Sequence, residues 1–188
     1  MIMKIFTFGC SFTEGQGLEN QREESYSGQI YKKTNIKTIN SGTAGASNDY
    51  IFRKVFEYIK KYINKNDLII IQWTHYIRKE IPIFYNNKTF YLYAPSCSYP
   101  LEPGNIDIEN NLMVSQYVNQ NLDEEKKIIE KIYNPFFLEY IDKSLNEEYQ
   151  KETTENYIHS LYNYLENNEY KHLHFFGWDS CKEPFSFN

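Results

Sequence analysis

The sequence predicts an α/β fold, a three-layer α/β/α sandwich with a mainly parallel sheet in the middle and a β-hairpin as an excursion from it. Short apolar runs bounded by turn residues recur along the chain and are typical of buried strands. Between the first three runs the apolar spacing becomes helical, and this strand, helix, strand, helix, strand order implies parallel pairing with right-handed connections. The four predicted main strands are Lys4 to Phe8, Ile36 to Asn40, Leu68 to Trp73 and His172 to Phe176.

The segment between the second and third strands has the strongest helical pattern. Its apolar residues recur at i, i+3 and i+4 spacing and therefore share one face. Ser47 is a suitable N-cap, and Asp49 is favourable in the first turn, near the positive end of the helix dipole. A shorter helix, from Ser25 to Lys33, is predicted between the first two strands. The shared apolar face consists of Ile51, Phe52, Val55, Phe56, Ile59 and Ile63.

The chain beyond the third strand begins with a predicted hairpin, an arm that could cover a site at the sheet edge. Ile81 to Tyr85 and Thr89 to Tyr93 flank the turn sequence Asn86-Asn87-Lys88. Ala94 to Asn111 has turn residues but little periodicity and is predicted to be a loop. No repeat or linker divides the chain, so residues 1–188 are predicted to form a single domain. Helical patterns return over Leu122 to Tyr133, Pro135 to Tyr149 and Thr153 to Leu165.

Composition and charge exclude several classes of protein. A formal net charge of -5 over 188 residues argues against a general nucleic-acid binder, which needs a basic face. The three cysteines are an odd number at wide spacing, which fits reduced thiols better than a disulfide framework. No stretch reaches the ~20 apolar residues that a membrane helix needs. We therefore expect a cytoplasmic protein with no nucleic-acid or membrane partner and no structural disulfide.

A serine follows the first predicted strand at a glycine-bounded turn. The strand stops at Gly9-Cys10-Ser11-Phe12-Thr13-Glu14-Gly15, and a hydroxyl on a tight strand-to-helix turn is exposed beyond the carboxyl ends of the strands. Ser41 to Gly45, Thr74 to His75 and Gly177 to Ser180 also follow predicted strands. Because the carboxyl ends of parallel strands meet at one edge, these segments should converge there. Ser11 is the predicted nucleophile, and the alternative is a turn residue that caps the next helix.

Two of these segments resemble sequence blocks of the SGNH, or GDSL, hydrolase family. The family's first block reads Gly-Asp-Ser with a glycine a few residues on, and Gly9 to Gly15 is similar to it, with Cys10 in place of the aspartate. The second block, an asparagine followed five residues later by a glycine, resembles Asn40 to Gly45. The resemblance implies a flavodoxin-like strand order, a nucleophilic role for Ser11 and an oxyanion-hole role for the N–H group of Gly45.

The third segment departs from the family pattern. The family usually carries Gly-x-Asn-Asp after a strand, and this chain has Gln72-Trp73-Thr74-His75 there. Thr74 stands where the resemblance places an asparagine that donates to the oxyanion. A hydroxyl can donate one hydrogen bond, although it is shorter than an amide and has to be oriented correctly.

The family's last block, an aspartate and a histidine three residues apart, has no counterpart in this sequence. Asp179-Ser180-Cys181-Lys182 supplies the aspartate but ends in lysine. The general base is therefore open. His75, next to Thr74, is the histidine placed best by sequence, whereas His172 and His174 are predicted to share a deeper strand face. The fourth histidine is His159, which is predicted to be structural.

From these features we predict a serine hydrolase of SGNH/GDSL type that cleaves an acyl ester through an acyl-serine intermediate. The predicted catalytic residues are Ser11, Gly45, Thr74 and His75. The expected substrate is a small-molecule or glycan ester, with a carbohydrate O-acetyl group as one candidate. The chain has no phosphate loop, dinucleotide fingerprint or zinc-site spacing, so no cofactor and no metal are predicted.

Two alternatives to the hydrolase stay open. The missing Asp-x-x-His block is compatible with a catalytically impaired binding or assembly protein on the same scaffold, because a fold does not entail an activity. The segment from Ser41 to Gly45, followed by a helix N-terminus, is compatible with a phosphate or nucleotide binder. Covalent reactivity of Ser11 would count against the binding scaffold.

Overall fold

A computed structural model describes residues 2–85, 88–94, 113–114 and 147–177. In this part of the chain four strands form a parallel sheet in the order β2-β1-β3-β7. Three further strands form a separate antiparallel sheet in the order β4-β5-β6. The strands are β1 (Ile5–Gly9), β2 (Thr38–Gly42), β3 (Leu68–Trp73), β4 (Lys79–Tyr85), β5 (Lys88–Ala94), β6 (Met113–Val114) and β7 (Lys171–Phe176). The helices are α1 (Ser11–Glu14), α2 (Gln21–Glu24), α3 (Tyr26–Thr34), α4 (Asn48–Lys61) and α5 (Glu147–Asn167).

Helices cover both faces of the parallel sheet, which confirms the predicted three-layer α/β/α fold. On one face, α4 and α5 pack against the strands and build the main core. On the other face, Tyr26 of α3 packs edge-on against Phe175 of β7, with ring centroids 5.7 Å apart. The order of β2, β1 and β3 is the predicted flavodoxin-like one. The core residues of these strands and helices include Phe6, Phe8, Ile51, Val55, Ile69, Ile71, Ile158, Leu161 and Leu165, all buried.

The start of α4 follows the capping signal in the sequence. The Ser47 hydroxyl accepts a hydrogen bond from the Tyr50 N–H at 3.2 Å, and Asp49 lies in the first turn of α4, as predicted. Ser25 caps α3 from outside the helix rather than forming its first residue. The second strand begins two residues later than predicted, because Asn35 ends α3 in the left-handed conformation and the chain turns before it pairs with β1.

Helix α5 is longer than the predicted segment from Thr153 to Leu165. It continues without a break through Gln150, which is buried one turn before the buried Thr154 on the same face. The predicted helix from Leu122 to Tyr133 lies outside the described residues, as do residues 135–146 of the next predicted helix and residues 95–111 of the predicted loop. No helix in the described part combines the length and apolar character needed to cross a membrane.

The predicted hairpin is confirmed, and it begins two residues earlier than expected. Strands β4 and β5 pair antiparallel, with Lys79 opposite Ala94 at the root. The added residues carry charges that attach this root to α4. The Glu80 carboxylate lies 2.7 Å from Arg53 Nη2, and Lys79 Nζ lies 3.4 Å from the Asp49 carboxylate.

Glu80 is a deeply buried acidic residue at this root, with 3% of its side chain exposed. Burial raises the pKa of Glu80 to about 7, and it outweighs the opposing attraction of Arg53. The nearby negative charge of Asp49 acts in the same direction as burial. The folded protein therefore holds a proton on this carboxyl group at pH values where the unfolded chain has released it.

A close approach of backbones joins β2 to α1. A Cβ atom added to Gly42 would overlap the backbone nitrogen of Glu14 and would lie 2.7 Å from the carbonyl carbon of Thr13. Only a residue without a side chain fits there, because both neighbours are main-chain atoms that cannot rotate away. Gly42 therefore sets how closely the end of β2 meets the turn after β1.

The Glu80→Gln substitution should change how stability depends on pH. The carboxyl pKa is about 7 in the folded state against an ordinary value of 4.5, so wild-type stability is lost as pH rises through this interval. The variant has no such titration, and its amide oxygen can still accept from Arg53. The unfolding free energy of the variant, relative to that of wild type, should therefore rise by roughly 1–3 kcal/mol between about pH 5 and pH 8. Urea unfolding at several pH values measures this change, and parallel curves for the two proteins would contradict the assigned ionisation.

The Gly42→Ala substitution should destabilise the protein by about 2 kcal/mol or more, because the added methyl group overlaps main-chain atoms of α1. Gly17→Ala is the matched control, since Gly17 has a φ of +88° and nothing lies within 4 Å of an added Cβ. That control should lose only about 1 kcal/mol, from backbone strain. Urea unfolding compares the two variants, and an equal loss would show that the contact at Gly42 is not tight.

Candidate active site

The segments that follow β1, β2, β3 and β7 lie at the carboxyl edge of the sheet, because these four strands pair in parallel. The Gly177 N–H donates to the carbonyl of Trp73 at 3.0 Å, so the chain after β7 stays beside the end of β3. Residues 178–182, which include Asp179 and Lys182, lie outside the described residues. The first three segments are described in full.

The turn that carries Ser11 is bonded to the loop that carries Gly45. The Thr43 N–H donates to the carbonyl of Gly9 at 3.0 Å, beyond the end of the paired strands. The Glu14 carboxylate accepts from the Ala44 N–H at 2.9 Å. From the sequence, Glu14 is only an acidic residue in the first turn of a helix. No local pattern signals this bond, because it joins residues that are thirty positions apart.

The Asn40 side chain makes a second connection between the same two segments. It donates from Nδ2 to the carbonyl of Thr13 at 2.7 Å and accepts from the Gly42 N–H at 2.9 Å. The asparagine of the predicted second block thus holds the two segments together. The structure therefore places the first two predicted blocks side by side.

Gly45 occupies a position that favours glycine. Its φ is +75° and it is buried, and an ordinary side chain at a positive φ would be strained. The Ala46 N–H donates to the carbonyl of Thr43 at 3.1 Å, which closes a turn around Ala44 and Gly45. The predicted donor thus lies on a constrained turn that is attached to the serine segment.

Ser11 is the first residue of α1 and is half-buried. Its hydroxyl oxygen lies 4.0 Å from the sulfur of Cys10, which is itself completely buried. The alternative prediction, that Ser11 caps the following helix, is not the observed arrangement, because Cys10 holds the N-cap position and Ser11 lies inside the helix. Ser11 is therefore the accessible residue of the pair, and the thiol is not.

The Gln72 side chain is hydrogen-bonded to two residues of the turn that carries Ser11. Its Oε1 atom accepts from the Thr13 hydroxyl at 2.5 Å, and its Nε2 atom donates to the Cys10 sulfur at 3.5 Å. A Cβ atom on Gly9 would lie 2.7 Å from Oε1, and one on Gly177 would overlap Nε2. Glycines at and after the ends of two strands thus leave the space that this carboxamide fills, and sequence reasoning assigned Gln72 no role.

Thr74, the first residue after β3, is 1% exposed. Its backbone is held by Asn48, whose Oδ1 accepts from the Thr74 N–H at 2.9 Å and whose Nδ2 donates to the Thr74 carbonyl at 3.0 Å. The Thr74 hydroxyl oxygen is buried and has no hydrogen-bond partner within the described part of the chain. Such a group is costly to bury unsatisfied.

His75 is half-buried at the rim, and its ring lies against that of Tyr76 with centroids 4.4 Å apart. Its Nδ1 atom accepts a hydrogen bond from the Ile77 N–H at 3.3 Å. The neutral imidazole in this arrangement carries its proton on Nε2, so that nitrogen is a donor. His75 can therefore accept a proton only at Nδ1, and only by releasing Ile77.

The other histidines lie away from the rim. His172 and His174 share one face of β7, as predicted, with ring centroids 5.0 Å apart. The Trp73 indole N–H donates to His174 Nδ1 at 3.2 Å, and burial lowers the pKa of His174 to about 3, so it stays neutral. Burial also lowers the pKa of His172, against the attraction of Glu166. His159 is exposed on α5.

The described side chains include no group of three histidine, cysteine, aspartate or glutamate residues that could hold a metal ion. Cys10 is a buried free thiol, and the two other cysteines lie outside the described residues. The described edge therefore offers the chemistry of a half-buried hydroxyl, a constrained glycine N–H, a buried threonine hydroxyl and an imidazole.

No protein-family model matches the chain, and no curated protein matches it. Among solved structures, the chain is similar to AlinE4, described as an SGNH-hydrolase family esterase, and to a mutant of that esterase, each with 23% identity and a TM-score of 0.34. Each of these alignments covers 39% of this chain and 40% of the esterase, so the chain spans less than half of the esterase's length. A member of the lipolytic protein G-D-S-L family from Veillonella parvula DSM 2008 is 13% identical, with a TM-score of 0.36, over 93% of this chain and 78% of that one.

Proposed function

We propose that the protein is a serine hydrolase of SGNH/GDSL type that cleaves an acyl ester with Ser11 as nucleophile. The observation that carries the proposal is the bonding of the Ser11 turn to the Gly45 loop. Glu14 accepts from the Ala44 N–H at 2.9 Å, and the Thr43 N–H donates to the Gly9 carbonyl at 3.0 Å. A serine nucleophile needs a hydroxyl and oxyanion donors held in a fixed relation, and this bonding supports such a relation.

The reaction would run in two halves. The Ser11 oxygen attacks the ester carbonyl carbon while its proton passes to a general base, and the carbonyl oxygen becomes an oxyanion. The N–H groups of Ser11 and Gly45, with the Thr74 hydroxyl, would donate to that oxyanion. Collapse of the intermediate breaks the bond to the alcohol, which takes a proton and leaves. Water then attacks the acyl-serine, which releases the carboxylic acid and restores the hydroxyl.

His75 is the residue we propose for the proton transfer. To accept the Ser11 proton on Nδ1, the imidazole has to release the Ile77 N–H, which is 3.3 Å away. The long bond and the half-buried position at the rim favour such a release. The proposed substrate is a small-molecule or glycan ester, with a carbohydrate O-acetyl group as one candidate.

The second candidate is a binding or assembly protein on the same scaffold. It is favoured by the Ile77 N–H that binds His75 Nδ1, because this bond occupies the lone pair on which a histidine base would accept the serine proton. In that case the buried Thr74 hydroxyl would donate to a ligand that is held but not cleaved. A folded protein with an inert Ser11 would support this candidate over the hydrolase.

A fluorophosphonate probe should modify wild-type protein once, at Ser11. The serine oxygen forms a bond to phosphorus and fluoride leaves, so the intact mass rises by one adduct. Ser11→Ala should show no adduct, whereas Ser160→Ala, a change on the exposed surface of α5, should react like wild type. Intact-mass spectrometry measures all three, and a folded wild-type protein that takes up no probe would overturn the hydrolase proposal.

The Thr74→Val substitution should separate stability from reactivity. It removes a buried hydroxyl that has no partner in the described part of the chain, so the Tm should stay equal or rise. Loss of one oxyanion donor should lower the rate of probe addition at Ser11 by roughly 10-fold or more. Thr74→Ser retains a hydroxyl and should keep most of the rate. Thermal unfolding and time-resolved mass spectrometry measure the two effects, and an unchanged rate in Thr74→Val would remove Thr74 from the donors.

A further inference from the structure

We infer that Asn48 is a positioning residue that sets the direction of the Thr74 hydroxyl, and this inference rests on the proposed function. Asn48 is the first residue of α4, next to the N-cap Ser47, and it is 2% exposed. Neither the sequence blocks nor the residues predicted for catalysis include it. Its role follows from its three hydrogen bonds.

The Asn48 carboxamide binds both backbone groups of Thr74. Its Oδ1 accepts from the Thr74 N–H at 2.9 Å, and its Nδ2 donates to the Thr74 carbonyl at 3.0 Å. In an antiparallel pair, a strand residue makes the same kind of two-bond contact with the residue opposite it. The side chain therefore extends the hydrogen bonding of β3 by one residue beyond its end at Trp73.

Both donor protons of the Asn48 carboxamide are engaged. The second Nδ2 proton is directed to the Thr154 hydroxyl of α5 at 3.3 Å. An amide group has two donor protons, and both are used within the protein. Asn48 therefore does not itself donate to an oxyanion and acts through Thr74.

The two hydrogen bonds from Asn48 to the Thr74 backbone also restrain the Thr74 side chain. A fixed backbone fixes the Cα–Cβ bond, and the buried surroundings then restrict the side chain to few rotamers. The hydroxyl so placed is buried and has no hydrogen-bond partner in the described part of the chain. If Thr74 were only a core residue, a valine would fill the position without leaving a polar atom unsatisfied. Rigid placement of an unsatisfied donor favours stabilisation of charge as it develops on a ligand.

Helix α5 contributes to the same arrangement. Thr154 holds the far side of the Asn48 carboxamide, and one turn later the Tyr157 hydroxyl donates to the Asp49 carboxylate at 3.0 Å. The rings of Tyr157 and Phe52 have centroids 4.8 Å apart along the same contact. The Asn48 side chain of α4 therefore connects α5 to Thr74.

The test measures the first-order rate constant of addition, kinact, and the apparent binding constant, KI, of the fluorophosphonate probe on the full chain. Asn48→Ala should lower kinact about 10-fold or more and leave KI within about twofold, because oxyanion placement and not probe binding is lost. Ser47→Ala is the matched control. It removes the N-cap bond at the same helix end without touching Thr74, so it should lower the Tm but retain the wild-type kinact.

A second variant keeps the test decisive if Asn48→Ala does not fold. Asn48→Asp retains an acceptor for the Thr74 N–H and suits the first turn of a helix, but when ionised it cannot donate to the Thr74 carbonyl. It should also lower kinact. In the Thr74→Val background either Asn48 change should cause no further loss, since the group that Asn48 positions is gone.

The possible results distinguish failure of this inference from failure of the proposed hydrolase function. A wild-type protein that takes up no probe overturns the hydrolase and this inference together. A reactive wild type whose kinact survives the Asn48 substitution overturns the inference alone. A full further loss in the Thr74→Val background does the same, because Asn48 would then act by another route. Loss in the Asn48 variants, retention in Ser47→Ala and no added loss with Thr74→Val support it.

Discussion

The carboxyl edge of the sheet depends on the burial of one carboxamide, that of Gln72. It is 1% exposed, and it holds Thr13 at 2.5 Å through its oxygen and Cys10 at 3.5 Å through its nitrogen. A buried amide without partners would cost about 2 kcal/mol or more, so its neighbours are constrained to satisfy it. A Cβ on Gly177 would overlap the Gln72 side chain, and a Cβ on Gly9 would overlap first the Thr13 hydroxyl that Gln72 binds and then Gln72 itself.

Three more polar side chains restrain this edge in a similar way, because each binds backbone groups of another segment. Glu14 holds the loop after β2, Asn40 holds the turn after β1, and Asn48 holds the residue after β3. Backbone groups beyond the ends of strands lose their sheet partners and have to find others when they are buried. The side chains that supply those partners also restrain the segments that carry the candidate site. The hydrogen bonds that satisfy these buried backbone groups therefore also set the geometry of the candidate site.

The hairpin root presents the opposite case, in which burial is only partly compensated. Arg53 lies 2.7 Å from Glu80, yet burial raises the pKa of that carboxyl to about 7. An ion pair taken out of water can lose more in desolvation than it gains by attraction. The carboxamides of Gln72, Asn40 and Asn48 at the edge carry no titratable proton, whereas the Glu80 carboxyl at the root titrates near neutrality.

The sequence by itself determined the local features of this protein and the edge where the predicted site lies. The strands, the cap of α4, the hairpin and the serine turn rest on periodicity and turn chemistry, which act over a few residues. Parallel pairing then decides where strand ends lie, which brings Ser11 and Gly45 to one edge. Only the tertiary structure decided the partners of Glu14, Gln72 and Asn48. Each binds a group from twenty-six to more than sixty residues away, and no local pattern encodes which polar side chain will satisfy a buried group.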